Sequence, residues 1–298
     1  MSDVKEQHPE VPIIIIERDD EPVKKTIVDG RPGRIRAWLR RIAMVVAIVV
    51  IIVALFAGYK IYNYYHIGLP VSTTPDQNIE KLKQPVSDQQ PEVVLSHDSI
   101  LDVALDFYAI HGLQATIEFQ EPDTADASVF LYSRCADHMA DGQYIGSLVA
   151  GGKEYQSDQS RLGYMAMADR QMVIGIHRSD KVKDYVMERG GSFFRQFILV
   201  NNGVIPPVFY LHGKVERRAI GRIGDTLYYI ATRHKETLWD FADALREYGF
   251  VDAIYITGGT GYGFYRTADG SRHDIGNPAD YPHEERKDVI PWLVFRAQ

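Results

Sequence analysis

The chain has 298 residues, 45% of them hydrophobic, and a formal net charge of −7 at pH 7. From Lys60 onward acidic residues outnumber basic ones, which argues against nucleic acid as a partner. Cys135 is the single cysteine, so an intrachain disulfide is excluded and a small buried residue is expected there.

An apolar run begins at Ile42 and ends at Tyr59 without a charged side chain. At a rise of about 1.5 Å per residue, an α-helix of this length crosses most of a hydrocarbon core roughly 30 Å thick. The long polar stretch before the run disfavours a cleaved signal peptide and favours an uncleaved signal anchor. We therefore predict contact with the lipid bilayer through residues 42–59, and an anchor with its interface over 42–65.

Basic residues beside the run predict its orientation, because cationic flanks resist translocation. Only Lys60 is basic between the run and Lys81, whereas five arginines lie shortly before the run: Arg31, Arg34, Arg36, Arg40 and Arg41. This asymmetry predicts a single-pass protein of the plasma or inner membrane with a cytoplasmic N-terminus and an extracytoplasmic C-terminal domain.

The tail, residues 1–41, is too short for a core of its own and is expected to be disordered. Within it, Ile13–Ile16 could pair with the sheet edge of a protein partner, or could be only a local apolar patch.

Residues 66–95 combine several prolines with Ser, Thr, Asp and Gln, a composition typical of an extended spacer. The domain is predicted over 96–298, which is enough chain for one full core. Its alternation of strand and helix patterns predicts an α+β fold, with a mixed or antiparallel sheet and packed helices, preceded by one transmembrane helix.

The domain's predicted elements follow in chain order. Helices are predicted at 96–112, 179–188 and 235–248, the last ended by Gly249. Residues 142–163 are predicted to form a mobile loop. Strands are predicted at 115–119, 128–132, 164–168, 171–177, 193–200, 208–212, 218–223, 226–232 and 251–257, with a hydrophobic strand at the end of the chain.

Motifs for common cofactors fail on spacing. Gly151-Gly152-Lys153 lacks the following Ser or Thr of a phosphate-binding loop, and Gly259–Gly263 is flanked by strand-turn-strand rather than strand-turn-helix. Cys135 and His138 offer two zinc ligands without a second pair. A divalent cation is conceivable, but the sequence contains no ligand motif and we predict no metal site.

An ordered series of short motifs occupies the last 110 residues or so. It comprises Gly190–Phe194, Glu216–Gly221, the helix through Leu245, Ile256–Thr260, Asn277-Pro278 and Glu285-Arg286. This order resembles the phosphodiester glycosidases, the family of the uncovering enzyme, which removes N-acetylglucosamine from a sugar phosphodiester. The resemblance covers roughly residues 164–298 and implies a hydrolase fold.

The match has departures. Positions that agree are Gly191, Phe193, Phe194, Arg217, Ala219, Gly221, Gly258, Gly259, Asn277, Pro278, Glu285 and Arg286. Positions that differ are Gly190 in place of Asn, Ser192 in place of Gly, Arg218 in place of Thr, Thr257 in place of Asp, and Thr260-Gly261 in place of Gly-Ser.

Splitting a sugar phosphodiester requires neutralisation of the phosphate charge and an acid or base near the leaving oxygen. The predicted substrate-binding residues are Arg217, Arg218, Gly258, Gly259, Thr260, Asn277 and Arg286. The predicted catalytic residues are Glu216, Glu285 and Thr257, with Asp274 and His177 as further candidates for proton transfer. Glycines 258 and 259 are expected to leave backbone N–H groups free to approach an anion.

Three hypotheses for function remain open. The first is a membrane-anchored hydrolase-like domain that acts on a glycan or sugar phosphodiester. The second is a catalytically degenerate module that binds a glycan or protein of the cell envelope, which Thr257 and Gly190 favour. The third is a scaffold that joins a cytoplasmic partner of the tail to an envelope complex.

Overall fold

The computed structural model describes residues 32–66, 73–86, 88–139, 142–207, 209, 211–259, 261–276 and 290–297. Helix α1 (Pro32–His66) contains the predicted anchor. Its stretch Arg36–Tyr62 is long and apolar enough to cross a membrane, and none of it is buried inside the protein. The tail up to residue 31, with the predicted partner-binding stretch Ile13–Ile16, lies outside the described residues.

The rest of the described chain forms a domain of strands with three further helices. These helices are α2 (Pro75–Leu82), α3 (Lys181–Glu188) and α4 (Leu238–Tyr248). The strands are β1 (Glu92–Ile100), β2 (Val103–His111), β3 (Gln114–Glu118), β4 (Val129–Arg134), β5 (Leu148–Ala150), β6 (Lys153–Gln156), β7 (Gly163–Ala168), β8 (Gln171–Ile176), β9 (Ser192–Gln196), β10 (Ile198–Val200), β11 (Arg217–Ile223), β12 (Thr226–Thr232), β13 (Asp252–Gly258), β14 (Gly263–Arg266), β15 (Arg272–Ile275) and β16 (Trp292–Arg296).

Within the described chain the strands form three sheets. The first has six strands in the order β1-β2-β12-β11-β13-β10. The second has five in the order β15-β14-β4-β16-β3, and the third has five in the order β6-β5-β9-β7-β8. Every pair is antiparallel, which is one of the two predicted arrangements. Sheet outweighs helix, so the domain is mainly β with few packed helices.

Two apolar cores lie on opposite faces of the six-stranded sheet. Leu105 and Phe107 of β2 are buried on one face, in the cluster that contains Phe241 of α4. Tyr108 and Ile110 of the same strand belong to the other core, which residues of the second and third sheets complete. Because a strand turns successive side chains to opposite faces, β2 can serve both cores. The six-stranded sheet is therefore the central layer of the domain.

The helix predicted over 96–112 is wrong. Strands β1 and β2 form a hairpin in continuous register from Glu92↔His111 to Ile100↔Val103. The apolar residues at 101, 104, 105 and 108 do fit a helical spacing, but those at 103, 105 and 107 also fit the alternation of a strand. Leu101 and Asp102 have φ values of 50° and 65°, the left-handed conformation that a two-residue hairpin turn uses.

Part of the predicted spacer, residues 66–95, is folded. The hydroxyl of Thr74 accepts the N–H of Gln77, whose side chain accepts the N–H of Thr74 in return, a capping box that begins α2. Pro75 occupies the first turn of that helix, where its missing N–H has no intrahelical partner to lose. One of the prolines that suggested an extended spacer therefore starts a helix.

Helix α2 is docked on the third sheet. Leu82 is buried in one cluster with Val182 and Val186 of α3. Asn78 is also buried, and its Nδ2 donates a hydrogen bond of 2.6 Å to the hydroxyl of Tyr164 in β7. The first strand of the domain begins at residue 92, ahead of the predicted domain start at residue 96.

Several other predictions can be compared directly with the described elements. The hairpin at 164–177, the helix at 179–188 and the helix ended by Gly249 are confirmed as β7–β8, α3 and α4. Gly249 has a φ of 110°, which favours glycine at a helix end. The loop predicted over 142–163 contains β5 and β6. The strand predicted over 208–212 is not observed, because Phe209, Leu211 and His212 lie outside strands.

Candidate functional site

A cleft of about 350 Å³ opens where strands from all three sheets end. Arg134 ends β4, Gln196 ends β9, and Thr257 and Gly258 end β13. The described residues that line the cleft are Arg134, Asp137, His138, Ile145, Arg161, Gln196, Phe197, Leu211, Thr257 and Gly258. Among them, two guanidinium groups and one carboxyl group surround one small volume.

Asp137 is the carboxyl group of the cleft, and both of its oxygens are engaged. Thr257 Oγ1 donates to Asp137 Oδ1 over 2.9 Å, and Gln196 Nε2 lies 3.4 Å from Oδ2. The backbone N–H of Gly258 donates to the same carboxyl. Burial raises the pKa of Asp137 above its ordinary value, against the opposing effect of these hydrogen bonds. The half-buried side chain is thus fixed in position by its hydrogen bonds. Because its pKa is raised, it is also easier to protonate than a surface aspartate.

The backbone around Asp137 is held between two sheets. The N–H of Cys135 donates to the carbonyl of Pro291, and the N–H of Ala136 donates to the carbonyl of Ile256. Ala136 has a φ of 60°, a left-handed conformation that is uncommon for a residue with a Cβ. Such strain is found where the surrounding structure fixes a functional geometry. The segment after β4 thus presents Asp137 rigidly to the cleft.

Arg161 supplies a positive charge on the cleft wall. Its guanidinium lies over the ring of Phe197, 4.2 Å from the ring centre, and it is half-buried. Its Nε is buried and has no hydrogen-bond partner among the described residues. A guanidinium stacked on an aromatic ring keeps its edge donors available for a carboxylate or phosphate. Arg161 and Arg134 together suit the cleft to an anion.

Arg217, a predicted substrate-binding residue, is buried beside the cleft but does not line it. Its Nε donates to the carbonyl of Glu236 over 3.0 Å and its Nη2 to that of Gly213 over 2.7 Å. Its Nη1 lies 3.5 Å from the hydroxyl of Tyr255. These contacts engage all three guanidinium nitrogens, so the charge of Arg217 acts on Asp137 from outside the lining of the cleft.

Arg218 points to the opposite face of β11, as alternation along a strand requires. Its Nη1 donates to the carbonyl of Gly259 over 2.8 Å, and its Nη2 donates to that of Gly261. Glu216, a predicted catalytic residue, lies 3.1 Å from Arg218 Nη2 and does not line the cleft. Arg218 and Glu216 therefore hold the turn after β13.

The glycine pair at the end of β13 has no free N–H groups, contrary to expectation. The N–H of Gly258 donates to Asp137 and that of Gly259 to the carbonyl of Glu216 over 2.9 Å. Gly259 has a φ of 81°, which explains why glycine stands there. Gly258 lines the cleft together with Thr257, so the predicted residues that meet in this site are these two.

The remaining predicted site residues either lie outside the described residues or do not line the cleft. Thr260, Asn277, Glu285 and Arg286 lie outside the described residues. Asp274 is exposed and accepts a hydrogen bond from the Tyr262 hydroxyl. His177 accepts the N–H of Ser179, and burial lowers its pKa. Neither Asp274 nor His177 lines the cleft.

The first motif of the series, Gly190–Phe194, lies away from the cleft. Gly190, Gly191 and Ser192 line a second cavity of about 270 Å³, and the Ser192 hydroxyl accepts the N–H of Ile117. Phe194 is fully buried. These contacts link the third sheet to the second.

The sequence did not reveal Asp137. Its hydrogen-bond partner Thr257 lies 120 positions further along the chain, and the fragment Cys135–His138 by itself suggests only two zinc ligands. Cys135 is buried as expected, and burial raises the pKa of its thiol. Within the described part of the chain, no group of three or more His, Cys, Asp or Glu is placed to hold a metal.

No protein-family model matches the chain, and no curated protein matches it in sequence. Solved structures do match. One is the catalytic domain of zebrafish N-acetylglucosamine-1-phosphodiester alpha-N-acetylglucosaminidase, auto-inhibited by its pro-peptide, with a TM-score of 0.51 and 13% identity over 72% of this chain and 87% of that chain. The likeness is one of fold.

A second similar structure is a hypothetical protein from Synechocystis. Its TM-score is also 0.51, with 9% identity over 70% of this chain and 62% of that chain. At these identities the comparisons show a related fold, and they support the resemblance to the phosphodiester glycosidases at that level.

Proposed function

We propose that this protein is a membrane-anchored hydrolase that splits a glycan or sugar phosphodiester in the cleft at the end of β13. The observation that carries the proposal is the pair of arginines, Arg134 and Arg161, set around Thr257 and Gly258 in a fold similar to a phosphodiester glycosidase domain. A phosphodiester carries one negative charge. A guanidinium group can neutralise this charge and donate two parallel hydrogen bonds to two phosphate oxygens.

The anchor adds a location to this proposal. Helix α1 is long and apolar enough to span a bilayer, and the arginines before its apolar run favour a cytoplasmic N-terminus. On this view the domain works on the extracytoplasmic side, on glycans of the envelope or cell surface.

Turnover can be tested with the full chain in detergent micelles. The protein is offered an N-acetylglucosamine phosphodiester and related sugar phosphodiesters across pH, with and without divalent cations. The expected result is conversion of the phosphodiester signal to a phosphomonoester signal in phosphorus NMR, with release of free sugar. Absence of turnover under all of these conditions would overturn the proposal.

A variant of the cleft sharpens the same test. Arg161→Met keeps the packing against Phe197 but removes the charge, and loss of one charge-assisted contact is expected to raise KM by about 10- to 100-fold. Arg246→Ala is the matched control, because Arg246 is a surface residue of α4 that pairs with Asp243 outside the cleft. Equal KM values for the two variants would show that Arg161 does not bind the substrate.

A second candidate function is binding without chemistry. Thr257 favours it, because a hydroxyl stands where the resembling family has a carboxyl group, and a hydroxyl titrates far above neutral pH. This candidate expects saturable glycan binding by calorimetry and no product in the NMR assay. The predicted roles of Glu216 and Glu285 stay predictions under both candidates.

A further inference from the structure

We infer that Asp137 is the proton donor of this cleft, the group that protonates the leaving phosphate oxygen when the bond to the sugar breaks. This inference rests on the proposed hydrolase function and names a residue that the motif series does not contain. It follows from the placement of Asp137 among its neighbours.

Position is the first argument. Asp137 is the only carboxyl group among the described residues that line the cleft, and it shares that lining with Arg134 and Arg161. Glu216, a predicted catalytic carboxyl group that the structure describes, is instead paired with Arg218 on the far side of β11. A proton donor must lie within hydrogen-bond reach of the oxygen that receives the proton, and an anion held by the two arginines would place its oxygens in this volume.

Fixation is the second argument. Thr257 Oγ1, Gln196 Nε2 and the N–H of Gly258 hold the carboxyl group from three directions. Gln196 is itself fixed, because its Oε1 accepts the N–H of Phe197 over 3.0 Å. The backbone bond from Ala136 to the carbonyl of Ile256 ties the Asp137 segment to β13. A catalytic group held in this way loses little freedom when the substrate binds.

Electrostatics agree with the placement. Burial raises the pKa of Asp137, so the carboxyl group keeps its proton at a higher pH than an exposed aspartate does. The charged and titratable groups around it are the guanidinium groups of Arg134, Arg161 and Arg217, the phenol of Tyr255 and the thiol of Cys135, and the imidazole of His138 lines the same cleft. The arginines stabilise the ionised carboxylate, which is the form that Asp137 takes once it has donated its proton.

The proposed step balances. The sugar C1–O bond of the phosphodiester breaks, and its electron pair stays on the phosphate oxygen, which takes the proton of Asp137. A water molecule adds through its oxygen to C1 and releases one proton to solvent, and the Asp137 carboxylate then recovers a proton from solvent. The products are the free sugar and a phosphomonoester, and no electron is gained or lost.

The first experiment compares wild type with Asp137→Asn as full chains in detergent. The amide keeps the shape and can still accept the Thr257 hydroxyl, but it cannot donate an acidic proton, so kcat is expected to fall about 100-fold or more. Asp225→Asn, in the exposed turn between β11 and β12, is the matched control and should keep the wild-type rate. Thermal unfolding of each variant checks that the fold is retained.

The second experiment reads the pH profile. A proton donor must be protonated, so kcat/KM falls as pH rises through its pKa in the free enzyme. The Thr257 hydroxyl stabilises ionised Asp137, so Thr257→Val should raise that pKa and move the descending limb to higher pH. Thr257→Ser retains the hydroxyl and should leave the limb in place.

The outcomes separate this inference from the proposed function. If wild type turns over substrate and Asp137→Asn stays within about threefold of it, Asp137 is not the donor and the hydrolase proposal stands. If Asp137→Asn unfolds, the Thr257→Val profile decides, and an unmoved limb overturns the inference. If wild type releases no sugar from any phosphodiester, both fall together.

Discussion

Gly258 in the cleft has no room for a larger side chain. A Cβ at this position would collide with the hydroxyl of Tyr255 and lie 3.1 Å from Val215 Cγ2. Tyr255 is buried and cannot swing into solvent, and its hydroxyl lies against the guanidinium of Arg217. The absence of a Cβ is therefore what lets β13 pass so close to its own neighbours.

We predict that Gly258→Ala lowers the free energy of unfolding by about 1–3 kcal/mol, the usual cost of overpacking. Tyr255→Phe removes the atom that the new methyl group meets, so the double variant should lose less stability than the sum of the two single variants. Urea denaturation of the three variants measures this coupling. Strict additivity would show that the collision is relieved in some other way.

At the residue scale the sequence identified two of the ten described residues that line the cleft, Thr257 and Gly258. These two could be found because the resemblance places them in the motif Ile256–Thr260. Asp137 could not, because its contact with Thr257 joins β13 of one sheet to the segment after β4 of another, and no local pattern encodes that meeting. The neighbouring residues Arg217 and Arg218 look equivalent in sequence, yet strand geometry sends them to different faces.

At the scale of elements, α2 is the clearest case of a short helix fixed by packing. It has only eight residues, too few for a stable helix in isolation. Its stability comes from the buried Leu82, from the bond between Asn78 and Tyr164, and from the capping box at Thr74.

Leu82→Ala should therefore destabilise the domain by about 2–5 kcal/mol, the range for truncating a buried leucine. The control is Lys81→Ala, which changes an exposed residue of the same helix and should leave stability unchanged within about 0.5 kcal/mol. Chemical denaturation gives the free energies, and hydrogen exchange shows whether the amides of α2 lose protection first. Equal stability of both variants would mean that α2 is not docked in solution.

Local signals decided which elements could be predicted. The β7–β8 hairpin and the end of α4 at Gly249 follow from turn and cap residues alone, and both are confirmed. The β1–β2 hairpin was missed because its apolar spacing satisfies a helix and a strand at once. The strand conformation is favoured by β12, whose residues Leu227–Thr232 pair with β2 in the central sheet.

At the scale of the whole molecule, one buried thiol makes the predicted orientation measurable. Cys135 is buried, so the native chain should resist a membrane-impermeant maleimide until it is denatured. Any new cysteine at an exposed position then reports on its own side of the membrane.

We predict that Asp225→Cys, in an exposed turn of the domain, is labelled on intact cells that express the full chain. Ser2→Cys, in the tail, should be labelled only after the membrane is permeabilised, because the arginines before the apolar run predict a cytoplasmic tail. The amount of label on each variant before and after permeabilisation is the readout. The reverse pattern would contradict the orientation, and labelling of both variants on intact cells would contradict a sealed span.

Strand β16 lies between β3 and β4 in the second sheet, and it pairs with residues about 160 to 180 positions earlier in the chain. Strand pairs so far apart in the chain form slowly, because the entropy cost of closing a large loop comes before the free energy gained from their contacts. A chain that lacks β16 leaves a gap between β3 and β4 in that sheet, with unpaired strand edges that favour aggregation. Chains without this strand are therefore expected to be degraded rather than to fold.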